Sequence, residues 1–375
     1  MNRRDFLTRA GVGALAAGTM AGCTDEEKQS AGVPATTAGK PIRWRMVTAW
    51  PRNFPGLGTG ANRLAETIGK LSGGRLTVEV NGAGEVVPAL EVFDAVAAGT
   101  AEMGHSAAYY WQGKMPAAPF FSAVPFGFTA DEMNSWLYFG GGLDLWRELY
   151  EPFGVLPLPA GNTGPQMSGW FRKPIESLDD FKGLKIRLPG IAGEVLRKLG
   201  ATVVNIPGSE LFQSLADGTI DAAEWVGPYN DLAFGFYRSA PYYYGPSWHE
   251  PASTMEAILN REAFEALPED LQEVVVQSCM AVNDSILAEY TARNAVALRQ
   301  LADDHGVEVR RFPEQIVEAL RAASESVLAE LAARDAFAGR VYEAFGAYRE
   351  QLRGWTAIGE LDFLAARDAR SGRAR

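Results

Sequence analysis

Apolar and polar residues alternate from Ile42 to Thr48, which predicts a strand. The spacing turns helical from Gly60 to Leu71, with Leu64, Ile68 and Leu71 on one face and Gly73-Gly74 as the stop. Arg75 to Val80 predicts a second strand, Pro88 to Ala98 a helix with Leu90, Phe93 and Val96 inward, and Ala101 to Ser106 a third strand. This β-α-β order implies a parallel sheet with helices on both faces.

A second lobe is expected to begin near Val155 to Leu158. Its strands are predicted at Trp170 to Arg172, Leu184 to Arg187 and Thr202 to Asn205, and its helices at Ile191 to Leu199 and Ser209 to Leu215. From Pro241 the chain is expected to return between lobes through Tyr242-Tyr243-Tyr244, an exchange that leaves a cleft with ligand groups from both sides. Leu267-Pro268-Glu269-Asp270 opens a helix that runs to about His305, roughly 50 Å at 1.5 Å per residue. That length suits a hinge-spanning strut or a dimer contact. Two helices follow, Glu314 to Ala333 and Asp335 to Trp355, and the basic end from Arg367 to Arg375 reads as disordered. The expected partition is residues 41–160 plus about 226–256 for the first lobe, 161–225 plus about 257–335 for the second, C-terminal helices over 336–365 and a tail over 366–375.

The N-terminus places this α/β body outside the cytoplasm. Arg3-Arg4 ahead of Phe6-Leu7 and an Ala/Gly-rich apolar run form a twin-arginine export signal over residues 1–22, too short and glycine-rich to span a membrane. Met20-Ala21-Gly22-Cys23 resembles a lipoprotein signal-peptidase box, with Met20 where that pattern prefers Leu, so Cys23 is an expected lipid anchor. Residues 23–40 read as a flexible spacer. Of the two cysteines only Cys279 remains after processing, so no disulfide within the chain supports the mature fold. The hydrophobic content of 47% gives each lobe an ordinary core, and the net charge of −11, more negative once the basic leader is removed, disfavours nucleic acid or anionic lipid as a partner.

Polar residues at strand ends carry the candidate chemistry. Arg187 closes the apolar stretch Gly183-Leu184-Lys185-Ile186-Arg187, where its planar fork suits either a ligand carboxylate or a structural ion pair with an acidic neighbour. Glu224, followed by Trp225, and Glu250, which follows Trp248-His249, offer oxygen to a hard cation in aromatic surroundings, and Gln166 adds an amide oxygen. Two carboxylates and one arginine facing a carboxylate ligand leave an excess of negative charge, which is the physical case for a cation. His249 is a possible metal ligand or base, and Tyr109, Tyr110 and Trp111 are candidates for a cleft roof or for core packing. Zinc and serine-hydrolase motifs do not occur in the sequence. Gly56-Leu57-Gly58-Thr59-Gly60-Ala61 matches G-x-G-x-x-A, with Glu79 downstream, and leaves an exported NAD(P)-dependent oxidoreductase as an alternative. Against it, Trp50 to Pro55 inserts a two-proline excursion where a dinucleotide site needs an immediate turn.

These pieces together resemble the extracytoplasmic solute receptors of tripartite ATP-independent periplasmic (TRAP) transporters, in the branch that binds 2-oxo and 2-hydroxy monocarboxylates. The resemblance covers about residues 41–355. It rests on Gly161-Asn162-Thr163-Gly164-Pro165-Gln166, Lys182 to Arg187, Asp221 to Tyr229, and Trp248-His249-Glu250. It implies a two-lobed periplasmic-binding-protein fold, each lobe a mixed sheet flanked by helices, with an interlobe cleft and a long C-terminal helical segment. By the same resemblance Arg187 holds the ligand carboxylate, and Gln166, Glu224, Trp225 (through its backbone carbonyl) and Glu250 surround a bound Na+ or Ca2+. Asn162, Trp225, Tyr109 and Tyr110 complete the expected ligand contacts. The resemblance further implies lobe closure on binding, delivery to the membrane subunits of the transporter, and a homodimer through the long C-terminal helix. A sensory receptor of the same fold is a further alternative. His249 stands where the pattern leads one to expect an aromatic residue.

Overall fold

The computed structural model of this chain describes residues 40–369. The expected export signal, Cys23 and nearly all of the spacer lie outside the described residues, as do residues 370–375. Strands run in the order β1 (Ile42–Thr48), β2 (Leu76–Asn81), β3 (Met103–Ser106), β4 (Val155–Asn162), β5 (Gly169–Phe171) and β6 (Lys185–Arg187). They continue as β7 (Thr202–Val204), β8 (Ala222–Ala223), β9 (Tyr242–Tyr244), β10 (Thr254–Asn260) and β11 (Glu308–Arg310). The helices are α1 (Leu57–Leu71), α2 (Val92–Ala97), α3 (Ala130–Phe139), α4 (Gly142–Tyr150), α5 (Gly190–Lys198) and α6 (Gly208–Ala216). Then come α7 (Pro228–Phe234), α8 (Arg261–Glu265), α9 (Glu269–Asp303), α10 (Glu314–Arg334), α11 (Ala336–Thr356) and α12 (Phe363–Asp368).

Two mixed sheets result, ordered β2-β1-β3-β10-β4 and β11-β9-β5-β8-β6-β7. The first is parallel only across β2-β1-β3, because β10 enters antiparallel between β3 and β4. The parallel sheet read from the β-α-β order thus holds only in part, and both sheets are mixed, as the resemblance implied. Val155 to Leu158 lies in β4 and so belongs to the first sheet, whereas Tyr242–Tyr244 pairs with β5 and β11 in the second. Residues 257–260, expected in the second lobe, lie in β10 of the first sheet. The chain therefore crosses between sheets at residues 163–168 and 245–253, and a third time from β10 to β11 through α8 and α9.

Local chemistry accounts for the elements. Helix α1 forms because Leu57, Ala61, Leu64, Ala65 and Ile68 share one buried face, and the chain turns after it where Gly73 and Gly74 take φ of 62° and 78°. Thr129 and Glu132 make a capping box at the start of α3. Helix α9 keeps a buried stripe from Leu271 through Val275, Cys279, Val282, Ile286 and Tyr290 to Leu301, and its 35 residues span about 52 Å. It serves as a strut. Asn283 Oδ1 accepts from Gly161 N at the end of β4, and Asn294 Oδ1 accepts from Tyr229 N in α7, beyond β8 of the second sheet.

Helix α10 packs on α5 and α11, and α11 packs on α3 and α4, where Phe345 lies against Phe128. The C-terminal segment continues beyond Trp355 through a π-helical stretch into α12, so residues 366–368, expected in a disordered tail, are helical. Among the described residues no helix is long and apolar enough to cross a membrane.

Candidate functional site

Each predicted site residue follows the carboxyl end of a strand or lies in a crossing between sheets, where open α/β folds gather ligand groups. Arg187 ends β6, Glu224 and Trp225 follow β8, and Tyr109 and Tyr110 lie on the short helical turn after β3. Gln166 lies in the first crossing and Glu250 in the second. The backbone joins these segments directly. Ser247 N donates to Gln166 O (3.2 Å), Gln166 N to Glu250 O (3.4 Å) and Met167 N to Val226 O (3.0 Å).

Arg187 is 1% exposed. Its Nη1 donates to Glu224 O at 2.7 Å and to Glu224 Oε2 at 3.1 Å, and its guanidinium stacks 5.1 Å from the Trp225 ring centre. Burial opposes its charge, but Tyr110 and Glu224 more than offset it. Of the two sequence readings of Arg187, the structure shows the ion pair with an acidic neighbour, Glu224. Trp225 is itself held edge-on by Phe54 and Phe234, with its ring over Gly208. A Cβ on Gly208 would come within 2.4 Å of that ring.

Several buried polar atoms here have no hydrogen-bond partner: Gln166 Oε1, Glu224 Oε1, Glu250 Oε2 and His249 Nε2. Leaving such groups unpaired costs roughly 1–3 kcal/mol each, so the set is unfinished without a guest. Burial pushes the Glu224 carboxyl up to about 8 even beside Arg187, and burial plus the neighbouring Glu224 pushes Glu250 to about 8. One donor atom from each of Glu224, His249 and Glu250 lies within 4.8 Å of the others. This oxygen-rich, negatively biased set fits a cation. Among the described residues no donor reaches the Trp225 carbonyl, which leaves it free to join them.

Beside these atoms is a narrow cavity of about 10 Å³, lined by Tyr109, Tyr110, Gln166, Trp225 and residues not foreseen from sequence, among them Trp50, Thr163, Ser253 and Met255. Trp50 is fixed by a 2.8 Å bond from its Nε1 to His105 Nδ1, whose Nε2 faces Ala160 O. Burial lowers the His105 pKa to about 4, so this imidazole stays neutral. Glu256, also unforeseen, accepts from Trp111 Nε1 (2.6 Å) and Tyr150 OH (2.8 Å) and so anchors the turn that presents both tyrosines. Neither residue had a periodic or motif signal. Asn162 does not line the cavity: its Oδ1 accepts from Gly164 N and its Nδ2 donates to Thr254 Oγ1, which shapes the crossing instead.

The Gly56-to-Ala61 pattern has a packing role. A Cβ on Gly56 or Gly60 would strike Tyr290 or Ile286 of α9, and one on Gly58 would strike Pro51 O. Gly56 and Gly60 let α9 approach α1, and Gly58 lets the preceding turn close on it, so the pattern serves packing. The dinucleotide alternative is withdrawn on that ground.

Comparison with known proteins agrees. The family model for bacterial extracellular solute-binding protein family 7, DctP, matches residues 46–335. A monocarboxylate 2-oxoacid-binding periplasmic protein of a Nostoc species is 40% identical over 97% of this chain and 98% of its own length. A TRAP periplasmic solute-binding protein from Pseudoalteromonas atlantica, solved with bound sodium and pyruvate, is 43% identical, with TM-score 0.84 over 87% of this chain and 99% of that one. A TRAP solute-binding protein from Bordetella bronchiseptica, a mixed-occupancy dimer with copurified calcium and picolinate, is 37% identical, with TM-score 0.87 over 89% of this chain and 99% of that one.

Proposed function

We infer the role of this chain from its family: it belongs to the bacterial extracellular solute-binding proteins of family 7, the DctP receptors of TRAP transporters. It captures a small 2-oxo or 2-hydroxy monocarboxylate of the pyruvate class together with one cation in the periplasm, and passes the acid to the transporter's membrane subunits. The observation that carries this reading is the buried Arg187 facing, across Glu224, unpartnered oxygens on Gln166, Glu224 and Glu250. Arg187 takes the carboxylate, while the cation, held by Gln166, Glu224, Glu250 and the Trp225 carbonyl, takes the oxygen at C2. Trp225, Tyr109 and Tyr110 wall the site. The chain's residues bind and orient; no bond of the ligand is made or broken. Because the ligand touches segments from both sheets, it favours the closed arrangement over an open one.

The test is a calorimetric comparison of pyruvate with propionate, which has the carboxylate but no oxygen at C2. With Ca2+ present, pyruvate is expected to bind at least about 100-fold tighter, near 2.7 kcal/mol. Equal affinities would refute the cation bridge. Gly208→Ala tests the wall, since the added methyl must push Trp225 aside. Such overpacking costs roughly 1–3 kcal/mol, so pyruvate affinity should fall about 10-fold or more with Ca2+ affinity less affected.

Two finer features complete the proposal. Export runs by the twin-arginine route with lipidation at Cys23, supported by the leader sequence. The chain also pairs with a second copy through its C-terminal helical segment. Helix α9 is occupied on its own chain, but Trp355, Ile358, Leu361, Phe363 and Leu364 beyond it are 44–73% exposed, an apolar set that a partner would cover. Leu361→Glu with Ile358→Glu should convert a dimer to a monomer in light scattering. A monomeric parent protein would refute the pairing.

A further inference from the structure

Trp50 to Pro55, the two-proline excursion between β1 and α1, is built as a stiff finger on the first-sheet side of the molecule. Trp50 O accepts from Ala83 N at 2.8 Å, and Arg52 forks onto Glu85, its Nε donating to Oε1 at 2.6 Å. Asn53 takes φ of 58°, a left-handed turn that Asn tolerates, and its Oδ1 accepts from Asn62 Nδ2 of α1 at 2.7 Å. The tip of the finger reaches the other half. The Phe54 ring centre lies 4.5 Å from that of Phe234 and 6.3 Å, edge-on, from that of Trp225. Next to it Pro55 O accepts from Asn230 Nδ2 at 2.8 Å, while Asn230 Oδ1 accepts from Tyr290 OH of α9 at 2.8 Å. Asn230 and Phe234 belong to α7, which is tied to the second sheet: Asp231 Oδ2 accepts from Trp170 Nε1 of β5 (2.9 Å) and from Tyr243 OH of β9 (2.7 Å). The two sides of this contact therefore move with different sheets. Opening the halves about the crossings withdraws the Phe54 ring and leaves the buried amide of Asn230 short of one partner. Phe54 itself does not line the ligand cavity.

We propose that Phe54 is a positioning residue for ligand capture: its ring latches the first half to the second by seating against Phe234 and Trp225, and this latch sets how long the acid is held rather than how fast it arrives. An aromatic contact and a hydrogen bond that exist only when the halves are together lower the free energy of the closed arrangement without touching the ligand. A ligand that escapes only after opening then leaves more slowly. The same contact holds the Trp225 ring beside the Arg187 guanidinium. This inference takes its ligand from the proposed function and goes beyond it by assigning part of the closing free energy to a contact within the protein.

The experiment is stopped-flow kinetics of pyruvate at saturating Ca2+ on the full chain, comparing wild type with Phe54→Ala, Phe234→Ala and the double variant. Each single substitution should raise the dissociation rate about 10-fold and leave the association rate within about 2-fold. The double variant should dissociate about as fast as either single one, because both remove the same contact. Phe54→Leu, which keeps apolar bulk, should recover most of the residence time. The melting temperature of the ligand-free protein should change little, since Phe54 and Phe234 are only half-buried at the rim of the cleft. A residue that merely supports the fold would lower that temperature and would not couple to Phe234. An unchanged dissociation rate in Phe54→Ala, or single effects that multiply in the double variant, overturns the proposal. If the wild-type protein binds no pyruvate, the proposed function falls and small-angle X-ray scattering of the ligand-free proteins decides the latch. Phe54→Ala should then be more expanded than wild type, and equal radii of gyration overturn the proposal.

Discussion

Arg187→Ala should abolish measurable binding of pyruvate. The guanidinium is buried, so the variant loses charge-assisted hydrogen bonds to the ligand carboxylate, worth about 1.5–3 kcal/mol each, in a site where water cannot substitute. Two such bonds correspond to roughly 3–6 kcal/mol, or at least about 100-fold in affinity. The variant also removes the partner of Glu224, and breaking a buried pair ordinarily costs about 3–5 kcal/mol. Here part of that cost is avoided, because Glu224 already titrates near 8 and can accept a proton. The loss of binding should therefore exceed the loss of thermal stability. Arg187→Lys should restore charge but little affinity, since an ammonium cannot hold Glu224 O and a ligand carboxylate in one planar fork. Titration of both variants checks this, and retained affinity in Arg187→Ala would remove arginine from the ligand site.

Cation removal should make stability depend on pH in a defined direction. Glu224 and Glu250 are each raised from 4.5 to about 8 in the folded, cation-free protein, chiefly by burial. A carboxyl that holds its proton more tightly when folded contributes stability that is fully present below the unfolded value of 4.5. That contribution is lost as pH rises through about 8. Chelated protein should therefore melt at lower temperature at pH 8 than at pH 6, by about 5 °C. Ca2+ should restore most at pH 8, because binding it releases a proton from the pair and is then unopposed. Asp231 and Glu256 are also raised to about 7, chiefly by burial, and shift stability in the same direction with or without the ion. The difference between chelated and loaded protein isolates the pair. A Ca2+-induced shift that is independent of pH would show that these carboxylates are not its ligands.

The local elements were readable from the sequence wherever one face of a strand or helix is buried, as in β1, α1 and the long α9, because burial imposes its period on the residues. Sheet membership was not readable in the same way. Strand β10 lies between β3 and β4 through pairings made far along the chain, and nothing in Thr254–Asn260 names those partners. Residues 242–244 were expected to carry the chain between lobes, yet they pair with β5 and β11 in the second sheet. The charged candidate residues stood out in the sequence because Arg and Glu in apolar surroundings are expensive. Trp50, Thr163, Ser253 and Glu256 did not, since aromatic, hydroxyl and isolated acidic residues are ordinary almost anywhere in a chain. The glycines at Gly56 to Gly60 gave the opposite lesson. A pattern that permits close approach to a phosphate equally permits close approach of a helix, and Tyr290 and Ile286 fill the space.

The central claim is that cation and acid are bound as one unit between Arg187 and the carboxylates. The most direct measurement is a pair of calorimetric titrations of the chelator-stripped protein, pyruvate with and without saturating Ca2+, then Ca2+ with and without saturating pyruvate. The account predicts that each ligand tightens the other by the same factor, at least about 100-fold, as linkage requires. Pyruvate affinity that is the same in chelator and in Ca2+ would contradict it.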